Sequence, residues 1–465
     1  MTNRQSIVWI TLESIRYDHT SLSDYDRDTT PSLQRIADGT EGNSFDHCIS
    51  HGNWTGTSSA SILTGTTPPT HGIFGESSLV LSEDIETIPE LLPEEMTTQS
   101  LVSNPNAGPA RGLDRGFDDL RYVVPSRLRD DVGLWTMAKS TPQLWSHGGG
   151  LTADIDRHKG LTSYMTVDLA KRFVASQDDP YFMYLHLGSS HHPYLPPAAY
   201  LDAFTDELTI SPQQALDIAQ SRYEDIHELI ADGGLSPDER QAVEAMYDAV
   251  ISHVDYCVGE LFDAIQRNSD DTIVVVTADH GDLLDEYDLA GHKFVLDDAL
   301  IHVPLVTHGL DGVDHQTGEV VQHIDVLETA LSQIGVESLQ FEGSNLRTDS
   351  RTLAVTQRSG NNAQENLKQV REYDPKYELP IRHLQTATSF RSTEDKLVHS
   401  EDAVELFALP DEQTNLKDRH SEKYEEMLTE ARRWLDEHET RPAAEREQEL
   451  DSDIKDHLSD MGYLV

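Results

Sequence analysis

Apolar residues in this chain fall into short runs and helical stripes that alternate from the N-terminus to about residue 335. IVWITL at 7–12 is nearly continuous, as a strand buried on both faces must be. Comparable runs stand at 99–103, at YFMYLHL (181–187), at 272–276 and at 303–307. Between them the period lengthens. Thr30-Pro31 opens a helix with Leu33, Ile36 and Ala37 on one face and Gly39 behind it. Residues 57–63 read as a short helix stopped by Gly65, 163–176 as a longer one, and 321–334 as another ended by Gly335. The longest spans 236–267, where Val243, Met246, Val250, Val254, Leu261 and Ile265 approximate one face. Cys257 lies on that helix and reads as core rather than reactive. The alternation predicts an α/β fold, a doubly wound, mostly parallel sheet flanked by helices.

After about residue 345 the pattern changes. Residues 352–356, 384–389 and 396–399 read as short strands with no long helices between them, which predicts a small antiparallel sheet. A helix over 418–437 follows, with Tyr424, Met427, Leu428, Ala431 and Leu435 on one side. The last stretch is acidic, with few apolar residues before Leu458. The expected division is a large domain at 1–345, a small α+β subdomain at 346–440 and an acidic arm at 441–465. There are no internal repeats.

Charge alters the picture more than composition does. Asp and Glu number 83 against 35 Lys and Arg, a net charge of -48 spread over the whole length. Nucleic acid and anionic membrane both need basic patches, so neither is expected as a partner. Such acidity suits multimolar salt, which screens self-repulsion to within about 3 Å at 1 M. A halophilic cytoplasm is the expected setting. Two cysteines, Cys48 and Cys257, make no disulfide framework, and the first residues run straight into a strand without a signal-peptide pattern. No apolar run approaches the roughly 20 residues that span a bilayer.

Candidate chemistry sits at strand ends, where open α/β sheets bind ligands. TADHGDLLDEYDLAGHK follows the 272–276 run. Its Asp279-His280 pair suits a divalent metal, Gly281 allows a sharp turn beside it, and His292 and Lys293 come twelve residues later. Glu13 ends the first strand, placed either as a ligand or as a partner for Arg16. Thr55 stands just before the 57–63 helix. Its hydroxyl is either an ordinary N-cap or a nucleophile facing an anion held by the helix N-terminus. Asn104 and Asn106 follow the 99–103 strand, and a loop-rich stretch from there to about 160 reads as cover for a cleft. His191 and His192 follow the 181–187 strand, in a loop stiffened by Pro196 and Pro197. They are either functional or merely solvated.

Taken together, these phrases resemble the sulfatases of the alkaline-phosphatase superfamily, nearly from end to end. ITLESIRYDHTS is similar to their opening strand and metal loop, and WTGTSSASILTGTTPPTHG to their nucleophile helix. LHLGSSHHPYLPP resembles their HxPY loop, and TADHGDLLDEYDLAGHKFVLDDALIHVPLV their second metal loop with its His-Lys element. TSFRSTEDKLVHSEDAVELFALPDEQTNL resembles their small C-terminal sheet. The resemblance implies that Glu13, Asp279 and His280, with Thr55, hold one divalent cation (Ca, Mg, Mn or Zn). It implies Thr55 as nucleophile. His191, His292 and Lys293 would bind the anionic oxygens or protonate the leaving group.

Three departures bear on the reaction. Sulfatases use a Cys or Ser, converted to formylglycine, in a C/S-x-P/A-x-R phrase. Here Thr55, Thr57 and Ser59 align, so no such conversion is open and the arginine is missing. The first loop reads Glu13-Ser14 where paired aspartates are usual. The Asp-x-x-x-His phrase of two-metal relatives is absent before His191. The expected activity is hydrolysis of a small sulfate or phosphate ester through Thr55. The alternatives are a transferase resembling phosphoethanolamine and phosphoglycerol transferases, and a degenerate member that binds without turnover. Oligomeric state and the leaving alcohol are not encoded legibly.

Overall fold

A computed structural model describes residues 5–75, 79–124, 162–269, 271–313, 319–438 and 444–445. The expected loop cover at 125–160 and nearly all of the arm lie outside them. Strand β1 (Ser6–Leu12) runs through the middle of a seven-stranded sheet. The others are β2 (Gly42–Ser44), β3 (Thr97–Val102), β4 (Asp119–Tyr122), β5 (Tyr181–Leu187), β6 (Thr272–Ala278) and β7 (Leu305–His308), in the order β2-β7-β6-β1-β5-β3-β4. β1 pairs in parallel with β5 and β6, and β3 in parallel with β5 and β4. Only β7 breaks the direction: it is antiparallel to β6 on one side and to β2 on the other, so β2 runs with the rest of the sheet. All seven residues of β1, β5 and β6 are buried, as the continuous apolar runs require.

Helices cover the sheet. They include α1 (Pro31–Ala37), α2 (Thr55–Thr64), α3 (Thr162–Val174), α4 (Pro237–Asn268) and α5 (His323–Gln333). α4 opens with a capping box at Ser236 and Glu239, and every apolar residue named for its face is buried. Cys257 is fully buried there, and burial pushes its thiol pKa up. Among the described residues no helix is long and apolar enough to cross a membrane.

The small sheet has four antiparallel strands: β8 (Ala354–Arg358), β9 (Ala387–Arg391), β10 (Asp395–His399) and β11 (Val404–Ala408). Its strand alternation splits two cores. Ala354, Ala387, Val398 and Phe407 join the main core. Val355, Phe390, Leu397 and Leu406 form a second cluster with Met427, Leu428 and Ala431 of helix α7 (Ser421–Glu437). One expectation fails here. A fourteen-residue helix, α6 (Gly360–Tyr373), lies between β8 and β9. Its sequence, GNNAQENLKQVREY, is mostly polar, and only Ala363, Leu367 and Val370 mark the buried stripe.

Candidate active site

Three strand ends and one helix start meet in a buried polar cluster. Glu13 follows β1 and its N–H donates to Leu187 O at the end of β5 (3.1 Å). Asp279 follows β6, and its N–H donates to Leu12 O (3.3 Å). Thr55 is the first residue of α2, two positions earlier than the sequence pattern places the helix. Trp54 takes the cap position in extended conformation with no side-chain cap. Gly56 makes this possible, since a Cβ there would lie 2.2 Å from the Trp54 indole. The Thr55 hydroxyl turns toward the polar cluster. It donates to Glu13 Oε1 (3.3 Å) and lies 3.4 Å from His280 Nε2. Asn104 Nδ2 donates to Thr55 Oγ1 (3.3 Å) and to Glu13 Oε1.

Asp279 is held from three sides. Its Oδ1 accepts the N–H groups of Ser14 (3.0 Å) and His280 (2.9 Å). Ser14 adopts φ 57°, a left-handed conformation costing on the order of 1 kcal/mol, which aims its N–H at the carboxylate. Oδ2 lies 3.3 Å from His186 Nε2, and His186 Nδ1 is 3.9 Å from Glu13 Oε2. Burial would raise the Asp279 pKa, but His280, His186 and the Ser14 N–H together hold it well below the usual carboxylate range. Burial likewise opposes protonation of His186, but the two carboxylates outweigh it and raise its pKa. His280 Nδ1–H donates to Gly281 O (2.7 Å), which leaves the Nε2 lone pair facing Thr55. Arg16 turns instead to Asp18 (2.7 Å) and Glu286 (2.8 Å), so it is not the partner of Glu13.

Two buried carboxylates, an imidazole nitrogen and a hydroxyl make a donor set that suits a hard or borderline divalent cation. Ligand atoms of Glu13, His186 and Asp279 lie within 4.8 Å of one another. Uncompensated burial of two carboxylates would cost several kcal/mol per charge, which a cation offsets.

The remaining predicted residues form the adjoining wall. The His292 ring centroid lies 4.6 Å from His280 and 5.7 Å from His191. His191, His192, His292 and Lys293 are all buried, so the solvated-loop alternative fails. Burial, Lys293 and the neighbouring imidazoles push the His292 pKa well down. Asp282 lies behind it, with Oδ1 3.8 Å from His292 Nδ1 and Oδ2 accepting the Tyr194 hydroxyl (2.7 Å). Burial raises Asp282 to about 7, although Tyr194, His280, Lys293 and Arg16 pull the other way. Sequence reasoning did not single out His186 or Asp282, and gave Asn104 no role. His186 carried a signal, as a polar residue inside the buried run of β5.

A family model described as Sulfatase matches residues 5–336. The chain belongs to the sulfatase family. Among curated sulfatases it is 27% identical over 176 residues to an uncharacterized sulfatase, YidJ, of Escherichia coli, covering 37% of this chain and 35% of that protein. It is 25% identical over 233 residues to the N-acetylglucosamine-6-O-sulfatase of Bacteroides thetaiotaomicron, covering 48% and 37%. The matched segments thus span little more than a third of either relative. The phosphonate monoester hydrolase of Agrobacterium radiobacter shares the sulfatase fold over 93% of this chain and 95% of its own, with TM-score 0.70 and 17% identity.

Proposed function

We propose that this sulfatase-family chain is a metal-dependent hydrolase of small anionic esters, with Thr55 as the nucleophile. The observation that carries the reading is the Thr55 hydroxyl at a helix start, 3.3 Å from Glu13 and 3.4 Å from His280 Nε2. Glu13, Asp279 and His280, with the Thr55 oxygen, would hold the cation. Bound there, it would neutralise the ester's oxygens and favour the ionised hydroxyl. Asn104 and Glu13 fix the Thr55 oxygen between a donor and an acceptor. The N-terminus of α2 and Lys293 add positive field where negative charge builds up. His191, His292 and Lys293 receive the outward oxygens, and a histidine protonates the departing alkoxide.

Attack by Thr55 Oγ forms a bond to the central sulfur or phosphorus and breaks the bond to the alcohol. Threonine has no hemiacetal from which to eliminate the acid, so water must then attack the same central atom and restore the hydroxyl. That requirement fits phosphoryl and phosphonyl esters as well as sulfate esters, in keeping with the N-acetylglucosamine-6-O-sulfatase and phosphonate monoester hydrolase similarities. A high-salt cytoplasm remains the setting that the net charge favours.

The test is turnover of p-nitrophenyl sulfate, p-nitrophenyl phosphate and a p-nitrophenyl phosphonate monoester, in molar salt with added divalent metal. Hydrolysis of at least one is expected, and Thr55→Ala should abolish it with the circular dichroism unchanged. Undiminished turnover by Thr55→Ala would show that another group is the nucleophile.

A further inference from the structure

A cavity of about 470 Å³ lies between the small sheet and the stretch just past Lys293, and none of the residues named in the active site lines it. Each strand of the small sheet contributes to it: Arg358 from β8, Ala387 from β9, Val398 from β10 and Phe407 from β11. The strand register puts these four on one face, the face turned to the main core. Phe294 and Leu296 line it from the large domain. We propose that this cavity binds a small monocarboxylate with an apolar body, its carboxylate paired with Arg358. The site stands apart from the ester reaction.

Arg358 is only 2% exposed. Its Nη1 donates to Ser359 O (3.0 Å) and its Nη2 to His383 O (2.6 Å) and Gln385 O (3.2 Å), all uncharged acceptors. Its Nε–H meets no acceptor among the described residues. The other cations on this face of the sheet are paired, Arg391 with Asp298 (2.8 Å) and Lys396 with Asp298 (3.1 Å) and Glu412. Arg358 has no such carboxylate among the described residues; burial pushes its pKa down to about 10, with Asp402 alone opposing. A buried charge without a counter-ion is costly, and a carboxylate in the cavity offsets that cost. The planar fork of a guanidinium matches a carboxylate, and the apolar walls suit a hydrocarbon body. Asp297, Glu405 and Glu412 also line the cavity, so a second negative charge on the ligand would be repelled. Tyr287 lines it too, at φ 62°, a strained conformation of the kind found at ligand clamps. Its hydroxyl donates to Asp297 (2.7 Å), which fixes the ring on the cavity wall.

Isothermal calorimetry of the full-length protein in molar KCl tests this with phenylacetate as the probe, beside 2-phenylethanol and the phenylphosphonate dianion. Phenylacetate should bind one equivalent, about tenfold or more tighter than either comparator. Arg358→Met should weaken it about 10–100-fold. Ile381→Trp narrows the cavity and leaves the partners of Arg358 in place, so it should weaken binding likewise; it carries the test if Arg358→Met fails to fold by circular dichroism. Arg382→Ala, at an exposed cation, and Lys293→Met, in the active site, should each leave the affinity within about threefold. The absence of saturable phenylacetate binding overturns the inference. So does 2-phenylethanol binding as tightly, which would make the cavity a purely apolar pocket. Loss with Lys293→Met as large as with Arg358→Met also overturns it, because the carboxylate would then sit in the active site.

Discussion

Asn104→Leu tests whether the Thr55 oxygen is held for attack or merely buried. The side chain is fully buried and reaches polar partners on either side. Its Nδ2 donates to the Glu13 carboxylate and to Thr55 Oγ1 (3.3 Å), and its Oδ1 accepts the Asn106 N–H (3.0 Å). Leucine fills nearly the same volume and removes these bonds. A hydrogen bond to a charged group contributes about 1.5–3 kcal/mol and a neutral one about 1. The two bonds that touch the reacting side sum to about 3 kcal/mol if the geometry they impose is fully used in the transition state. Tenfold in rate corresponds to about 1.4 kcal/mol, so kcat should fall on the order of 10²-fold. Asn104 contacts the nucleophile and a ligand, not the ester, so KM should stay within about threefold. The assay is steady-state hydrolysis of the best p-nitrophenyl ester in molar salt, with folding monitored by near-ultraviolet circular dichroism. A folded variant with wild-type kcat refutes the reasoning. So does one in which KM alone rises, because Asn104 would then act on the substrate.

Acid should destabilise the protein through His71. Burial lowers its pKa to about 3, Nδ1 accepts the Ile73 N–H (3.0 Å) and Nε2 faces Ser61 Oγ (3.1 Å), so protonation would remove an acceptor. The unfolded state binds the proton near pH 6.5, hence the stabilisation is complete above 6.5 and fades toward pH 3, by about 1.4 kcal/mol per unit. Urea midpoints from pH 7 to 4 should fall less steeply in His71→Gln; parallel slopes would remove His71 from the account. Lys396 is fully buried on β10 between Glu412, Asp298 (3.1 Å) and Leu296 O (3.0 Å). Lys396→Met should cost about 3–5 kcal/mol by leaving buried carboxylates unpaired, and Lys396→Met/Glu412→Leu should recover much of it; additive losses would contradict the pairing. Raising KCl from 0.1 to 1 M shortens the screening length from about 10 to about 3 Å, so Tm should climb with salt. A flat Tm would detach the net charge of -48 from salt adaptation.

The sheet was legible because burial on both faces leaves a plain mark. Runs such as IVWITL and YFMYLHL have few other homes, and both proved to be strands of the central sheet. Position 303–307 shows the limit. Pro304 cannot donate to a ladder, and the run divides into a short bridge to Cys48-Ile49 and the antiparallel strand Leu305–His308. Helix α6 escaped notice because its apolar stripe is three residues wide in a polar segment. The start of α2 was two residues off because hydroxyl residues at 55, 57, 58 and 59 are all acceptable caps, so local propensity cannot choose among them. Tertiary contacts choose: the Trp54 ring lies against Gly56, and the Thr55 hydroxyl finds Glu13 and Asn104.

The site residues divide by the same logic. Those carried by short phrases, Glu13, Thr55, Asp279-His280, His191 and His292-Lys293, could be named because a phrase preserves local order. Asn104, His186 and Asp282 could not, because each acts through a partner distant in sequence. Asn104 is 91 positions from Glu13, His186 is 93 from Asp279, and Tyr194 is 88 from Asp282. What the fold adds is therefore a polar shell that the phrases do not contain: a donor on the Thr55 oxygen, an imidazole between two carboxylates, and a carboxylate behind His292. That shell bears on the exchange of cysteine for threonine. If Thr55 is the nucleophile, as proposed, its ester has no internal exit, and the groups around its oxygen would have to serve both its formation and its hydrolysis. On the proposed mechanism the Asn104 amide can donate to the Thr55 oxygen through both steps, whereas the bond to Glu13 lasts only while that oxygen carries its proton, which is lost on attack and regained when water restores the hydroxyl.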